Sequence, residues 1–371
     1  MRWTHRRPIF GIVVGTLLFT VACAPAEPER VRPASATSAA ELGGMDALVA
    51  AAKKEGALNL IALPPDWANY GAMITAFGKK YGIRVNSGQP DYTSQDEINA
   101  ARGLKGTPLA PDVLDLGANV ALANTDVFAP YKVATWADFP EPLKEPTGLW
   151  FADYGGYMSI GYDAGRVPAP SSIQDLLKSA YKGKVSIDGD PTAAGAAFNA
   201  VVTASLGNGG SPDDIGPGVD FFGQLKRNGN LVRGEPNTTT IQTGKTSVVI
   251  DWDYLNAGYA SKLKGVVDWK ILVPQHAVVG SYYVQAVHKD APHPAAARLW
   301  EEFLYSDEGQ NIWLRGLARP VRADAMRRAG TIDAAADANL PPVVGDPVFL
   351  SPAQTDAAKK YLTENWNRAV S

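Results

Sequence analysis

Residues 45–63 read MDALVAAAKKEGALNLIAL, a helix pattern followed directly by a strand pattern. Residues 45–55 carry the apolar spacing of an amphipathic helix, and Gly56 supplies the residue that most often ends one. The run LNLIAL at 58–63 is short and apolar except for Asn59, as is typical of a buried strand. A helix joined to a buried strand by one glycine predicts a layered structure in which helices cover a sheet.

The same alternation continues in both directions along the chain. Helical spacing recurs where apolar residues are three or four apart, and short β-rich runs lie between these segments. Further helices are predicted at 70–81, 95–104, from 118, 193–206, 221–228, 253–263 and 295–305, and further strands at 83–86, 111–116, 183–187, 247–251, 269–273 and 281–287. This order predicts the α/β fold class, with helices on both faces of the sheet. The globular part, from about residue 42 to 371, exceeds the usual size of one core, which predicts two lobes.

The first 22 residues have the three parts of a secretory signal peptide. Arg2, Arg6 and Arg7 form the basic start, residues 9–22 (IFGIVVGTLLFTVA) form an apolar run, and the small residue Ala22 ends it. The run is too short for a membrane-spanning helix, which needs about 20 apolar residues. We therefore expect an exported protein, in the periplasm or at the outer face of the cytoplasmic membrane.

Cys23 is the only cysteine, so the chain can form no internal disulfide. The sequence at 20–23 (TVAC) resembles a lipobox, although Thr20 stands where leucine is usual. This resemblance predicts lipidation of Cys23 and a lipid anchor in the membrane; the alternative is an incidental thiol beside an ordinary cleavage site. Residues 23–41 are rich in Pro, Ala and Ser, which predicts a flexible tether.

Composition excludes several classes of function. Without the three leader arginines, 32 basic and 38 acidic residues give a net charge of −6, and no basic run suggests nucleic-acid binding. The four histidines have no metal-site spacing, and neither a phosphate-binding glycine loop nor a G-x-S-x-G elbow occurs. We expect no metal, no cofactor and no enzymatic activity; a secreted hydrolase is the alternative from another class.

Loops that follow the predicted strands carry acidic and aromatic residues side by side. Ligands of open α/β sheets bind beyond the carboxyl ends of the strands, where these loops lie. Acids beside aromatic rings suit a cationic or amine solute, through charge neutralisation and cation–π attraction. The candidate ligand-binding residues are Asp66, Trp67, Asn119, Asp190, Thr192, Trp252, Asp253, Tyr254, Tyr282 and Tyr283.

Other interpretations of the same residues remain open. Asp66, Asp190 and Asp253 could each be helix caps or turn residues. The helix start after Asp190 could receive a carboxylate or phosphonate on its free N–H groups. Tyr282 and Tyr283 could act as phenolate ligands to ferric iron, although adjacent strand residues point to opposite faces, so one of them belongs to the core.

The stretch 285–322 carries the clearest family motifs. It includes AVHKDAPHP at 286–294, AARLW at 296–300, SDEGQ at 306–310 and GLARPVR at 316–322. Shorter matches are YKGKV at 181–185 and GGY at 155–157. With these motifs the chain resembles the extracellular solute-binding proteins of ABC importers, in the branch for polyamines, thiamine, ferric iron and aminoethylphosphonate.

The resemblance implies a two-lobed fold of the periplasmic-binding-protein type 2, with strands crossing a hinge near 153–162 and 279–287. Lobe 1 would comprise residues 42–155 and about 284–335, and lobe 2 residues 156–283 and about 336–371. The protein would be a monomer that captures a small solute and passes it to an ABC permease in the membrane.

Individual positions favour some solutes over others. Trp252 falls where polyamine binders place a ligand-stacking tryptophan, and Asp190 lies near one of their acids. Ala193 and Tyr283, however, stand where those proteins have acidic residues, which weakens the case for a di- or polyamine and leaves room for a singly charged or zwitterionic amine. Ferric binders have paired tyrosines where this chain has Trp252-Asp253-Tyr254, which disfavours iron.

Overall fold

The structure, a computed structural model, describes residues 1–3, 32–232 and 234–371. The chain divides into two units, and all that follows concerns the second, Val31–Ser371. Most of the predicted signal peptide, Cys23 and the start of the predicted tether lie outside the described residues. Of the helices that the described residues form, none has the length and apolar character needed to span a bilayer.

Helices and short strands alternate along the chain much as the sequence predicts. Helix α2 illustrates why: Met73 and Phe77 lie one turn apart on its buried face, and Gly82, at φ 68°, ends it in the left-handed conformation. The helices are α1 Met45–Glu55, α2 Tyr70–Tyr81, α3 Ser94–Gly103, α4 Ala118–Leu122, α5 Gly195–Gly207, α6 Gly216–Arg227, α7 Thr238–Gln242, α8 Asp253–Lys262, α9 Pro294–Leu304, α10 Asp307–Arg315, α11 Ala323–Ala329, α12 Ala334–Asp337 and α13 Pro352–Val370. The strands are β1 Ala57–Ile61, β2 Arg84–Gly88, β3 Val113–Gly117, β4 Phe128–Ala129, β5 Phe151–Asp163, β6 Val185–Ile187, β7 Val248–Trp252, β8 Trp269–Leu272, β9 Gly280–His288 and β10 Arg319–Pro320.

The strands form one large sheet and one parallel pair. Strands β1 and β2 pair in parallel. The large sheet has the order β3-β9-β5-β7-β6, with β4 added to β9 and with β8 and β10 added to β5. Within it, β6 and β7 are parallel, whereas the pairs β3–β9, β9–β5 and β5–β7 are antiparallel. The α/β class is thereby confirmed.

Strand β5 changes partners halfway along its length. Its first half pairs with β9 and β10, and its second half, from Met158, pairs with β7 and β8. Strands β5 and β9 cover the two segments predicted to cross a hinge. Both are almost wholly buried, which fits strands that run through the middle of the molecule. The lobe boundaries drawn from the sequence stay a prediction.

The segment just before α1 is more ordered than its composition suggests. The guanidinium of Arg298, buried in α9, donates hydrogen bonds to the carbonyls of Ala34 (3.0 Å) and Ala36 (2.8 Å). Ala36 is fully buried. The folded domain therefore includes about ten residues, from Pro33 on, that the sequence assigned to the tether. Composition could not show this, because the bonds come from a helix more than 250 positions away.

The C-terminal residues pass over the crossing strands and end in a long helix. Val348 exchanges backbone hydrogen bonds of 2.8 and 2.9 Å with Val278 and Gly280, and the Phe349 ring lies parallel to Tyr282 at 5.8 Å. Helix α13 then packs against α6, with the rings of Trp366 and Phe222 5.4 Å apart. The same helix also contacts α4. It thus reaches elements that the sequence assigned to different lobes.

Candidate functional site

A cleft of about 330 Å³ lies where the loops after several strands meet. The segments that follow β1, β2, β3 and β6 all contribute to its walls; after β3 this segment is helix α4, which begins directly at the strand end. The lining includes Trp67, Tyr92, Asn119, Thr192 and Tyr283, together with Lys359 from helix α13. The crossing strand β9 thus supplies part of the wall through Tyr283.

Asp115, on strand β3, is a buried carboxyl that lines this cleft. Its Oδ2 accepts hydrogen bonds from the hydroxyls of Tyr70 (2.8 Å) and Tyr154 (3.3 Å). Behind it, Asp153 on β5 accepts a hydrogen bond from Gln285 (3.0 Å). Burial raises the pKa of Asp115 to about 7 and that of Asp153 well above its usual value, and the charge of Asp115 raises the latter further.

Glu97, in the first turn of α3, is a second buried carboxyl on the same wall. Its Oε2 accepts the backbone N–H of Asp115 at 3.0 Å, which fixes the two acids side by side. Desolvation raises the pKa of Glu97 well above its usual value, and the neighbouring Asp115 raises it further. One wall of the cleft therefore holds two acids whose charged forms need a compensating cation.

A second group of acids lies around the segment that follows β6. Asp188 follows β6 and lines the cleft with Glu235. Burial, and then the charge of Glu235, raise the pKa of Asp188 to about 6. Asp251 at the end of β7 is buried, and desolvation followed by the charge of Asp188 raises its pKa well above the usual value. Its Oδ2 has no hydrogen-bond partner among the residues that the structure describes.

Aromatic rings also gather at the cleft, around Trp67. The ring of Trp67 meets those of Tyr283 (5.7 Å) and Tyr254 (6.0 Å) edge-on. Its indole N–H donates to the hydroxyl of Tyr154 at 2.7 Å, and that hydroxyl donates to Asp115. Because its polar atom is occupied, Trp67 offers the cleft only its ring, a surface that attracts cations.

The charges that line the cleft are unbalanced. Within the described part of the chain, the acids are Asp91, Glu97, Asp115, Asp188 and Glu235, and the one cation is Lys359. Lys359 is half-buried, and desolvation lowers its pKa. The cleft is therefore anionic overall, with one lysine on the α13 side.

Five of the residues predicted from the sequence lie at the cleft or beside it. Trp67, Asn119, Thr192 and Tyr283 line it. Asp66 lines an adjacent cavity and forms an ion pair of 2.8 Å with Lys262.

The other predicted residues lie elsewhere. Exposed Asp190 accepts hydrogen bonds from the backbone N–H (2.8 Å) and hydroxyl (2.7 Å) of Thr192, the turn role that the sequence left open. Trp252 is only 2% exposed and stacks behind Tyr254, which is itself buried and touches Trp67.

Asp253 and Tyr282 serve the strand crossing. Asp253 is buried in an ion pair of 3.1 Å with Arg319. Tyr282 packs on Phe349 on the face of β9 away from the cleft, as expected when Tyr283 faces it.

The acids that dominate the site were not among the residues predicted from the sequence. Glu97, Asp115, Asp188 and Glu235 each lack an adjacent aromatic residue, which was the pattern sought. One signal was present: Asp115 interrupts the apolar run VLDLG at 113–117. A lone acid in a buried strand is rare and needs a hydrogen-bond or charge partner, which often marks a functional site. No three His, Cys, Asp or Glu side chains in the described ranges are arranged to hold a metal ion.

Comparisons with known proteins agree with this architecture. The sequence model of the family of bacterial extracellular solute-binding proteins matches residues 112–341, more than half of the chain. The chain belongs to this family. No curated protein matches the sequence.

Solved structures of periplasmic binding proteins have the same two-lobed fold. Iron-bound HitA from Pseudomonas aeruginosa is 22% identical, with a TM-score of 0.63 over 85% of this chain and 99% of that one. AfuA from Actinobacillus pleuropneumoniae, with fructose-6-phosphate bound, is 17% identical, with a TM-score of 0.64 over 84% and 99%. AgtB from A. tumefaciens R10, in complex with agropinic acid, is 16% identical, with a TM-score of 0.65 over 85% and 98%. At these identities the similarity shows the fold, and the three different ligands leave the solute to be argued from the cleft itself.

Proposed function

We propose that this protein is the extracytoplasmic receptor of an ABC importer and that its solute carries a protonated amine. The observation that carries the proposal is the cleft itself, which is lined by five acids, two of them buried (Glu97 and Asp115), and by one half-buried lysine. Ionised carboxylates in such a place are costly unless a cation joins them. An ammonium group between Asp115 and Asp188, held against the ring of Trp67, supplies that charge. The protein binds and releases this solute without chemical change, and export with a lipid anchor at Cys23 stays a prediction from the sequence.

An anionic solute is the second candidate. Helix α5 begins at the cleft, where Gly195 and Ala196 line the wall and no side chain caps the helix. Its first N–H groups and Lys359 could receive a carboxylate or phosphonate. A zwitterion would use both ends of the cleft. The pH dependence of binding separates these solutes, because protonating the acids weakens the binding of a cation and strengthens that of an anion.

We expect the affinity for propylammonium to fall at least about tenfold between about pH 8 and about pH 5. The amine stays protonated over this range. Burial raises the pKa of Asp115 to about 7 and that of Asp188 to about 6 in the empty cleft, so protons compete with the amine as the pH falls through these values. Isothermal titration calorimetry at several pH values measures the effect. An affinity that rises on acidification would exclude the cationic solute.

Two asparagine variants locate this pH dependence. Asp188→Asn removes the competition near pH 6, so its profile should be flatter than that of the wild type. Asp190→Asn, two positions further on, alters an exposed turn residue and should leave the wild-type profile. If Asp190→Asn flattens the profile and Asp188→Asn does not, the binding site includes Asp190, as the sequence predicts, and the cleft is not the site.

A further inference from the structure

A second cavity, of about 260 Å³, adjoins the cleft. The two share three lining residues, Pro64, Trp67 and Asp188. Asp188 and the ring of Trp67 therefore border both cavities, so a solute held at Asp188 lies next to the second one. We propose that this second cavity, which we term the extension, takes the uncharged tail of an elongated solute whose ammonium group occupies the cleft. This inference rests on the proposed function and adds the shape of the solute.

The walls of the extension offer mainly rings and aliphatic surface. The hydroxyl of Tyr259 donates to the carbonyl of Pro236 at 3.2 Å, and the ring of Tyr259 meets Trp269 edge-on at 6.2 Å. Leu255 and Pro64 complete the apolar part. The indole N–H of Trp67 is already hydrogen-bonded to Tyr154, so a tail in this cavity contacts only the ring of Trp67. Aliphatic or flat groups suit such a surface.

Several polar groups around the extension have partners within the protein, and Thr238 adds one hydroxyl to the lining. Asp66 and Lys262 form an ion pair of 2.8 Å, so their charges cancel. The side chain of Asn237 accepts the backbone N–H of Thr240 at 3.0 Å as the cap of helix α7. The remaining charge is that of Asp188, at the junction with the cleft. The carboxylates that would pair with the ammonium group thus lie in the cleft and at its junction with the extension. The extension itself suits an uncharged tail.

Gly258 provides a way to fill the extension without disturbing the fold. It lies within helix α8 and lines this cavity, and a Cβ atom there would meet nothing within 4 Å. A larger side chain can therefore project into the cavity, and replacing a helical glycine also favours the helix. Gly195, the first residue of α5, lines the cleft instead, where the nearest atom to a new Cβ is the Tyr283 hydroxyl at 3.9 Å. Leucine at position 258 therefore fills the extension only, and leucine at position 195 fills the cleft only.

The test compares propylammonium with 4-phenylbutylammonium by calorimetry on the full chain. On the wild type, the longer amine should bind at least about tenfold more tightly, since its tail is buried in the extension. Gly258→Leu should reduce this ratio to about one, whereas Gly195→Leu should weaken both amines. Thermal melting without solute checks that each variant folds, and Gly258→Ala is the smaller replacement if leucine is not tolerated.

Each alternative outcome has a definite meaning. If propylammonium binds but the longer amine binds no more tightly, or keeps its advantage in Gly258→Leu, the extension does not hold the tail and only this inference fails. If neither amine binds to the wild type, the cationic solute itself is wrong, and the extension falls with it.

Discussion

Replacing Arg319 by alanine should lower the free energy of unfolding by about 3–5 kcal/mol, as is usual when one partner of a buried ion pair is removed. Arg319, on β10, donates to Asp253 Oδ2 at 3.1 Å and to the carbonyl of Pro341 at 2.7 Å. Its guanidinium also lies 4.9 Å from the centre of the Tyr157 ring. The side chain of Asp253 is fully buried, so the variant leaves a carboxylate without its counter-ion.

Two further variants show whether the lost charge partner is the cause. Adding Asp253→Asn to Arg319→Ala removes the uncompensated charge and should recover part of the stability. The more exposed pair between Arg327 and Asp337, joined at 2.7 Å, is the matched control, and Arg327→Ala should cost no more than about 1 kcal/mol. Chemical denaturation measures all three. Equal costs for Arg319→Ala and Arg327→Ala would contradict the role given to the buried pair.

The second large effect distinguishes two tryptophans of the site region. Trp252→Ala should lower the free energy of unfolding by about 3–5 kcal/mol, because it leaves a cavity in the core. Trp252 is 2% exposed and lies parallel to Tyr254, with the ring centres 6.4 Å apart. Trp67 lines both the cleft and the extension, so Trp67→Ala should instead weaken amine binding by about 5- to 30-fold.

Denaturation and calorimetry on both variants decide this assignment. The structure predicts that Trp252→Ala melts earlier and that Trp67→Ala loses propylammonium. Suppose instead that Trp252→Ala folds as well as the wild type yet no longer binds the amine. The resemblance to polyamine binders would then have identified the ligand-stacking residue correctly, and the cleft described here would not be the binding site.

Local pattern was sufficient to predict much of the fold. The bounds predicted for α1 and α2 match Met45–Glu55 and Tyr70–Tyr81, because a helical stripe and a terminal glycine are both local signals. The long strand β5 was harder to predict. Its continuity from Phe151 to Asp163 depends on a change of partners from β9 to β7, and pairing with distant strands leaves no trace in the local sequence.

The sequence predicted four residues that line the cleft, but it did not predict the acids. Segments after strands were expected to meet, and those after β1, β2, β3 and β6 all line the cleft. The sequence could not show which acids belong to the site. Asp115 is buried and accepts hydrogen bonds from Tyr70 and Tyr154, and both tyrosines come from other elements. Lys359 reaches the cleft from a helix near the C-terminus, far in sequence from every other lining residue.

The central claim is that the cleft selects a positive charge, and thermal melting with solutes of equal size tests it most directly. Propylammonium, 1-propanol and propionate are compared at about pH 7.5 and constant ionic strength. Propylammonium should raise the melting temperature. At 100 times its dissociation constant, a ligand adds about 2.7 kcal/mol to the free energy of unfolding. The alcohol and the carboxylate should leave it unchanged. Stabilisation by propionate, or equal stabilisation by all three, would contradict the claim.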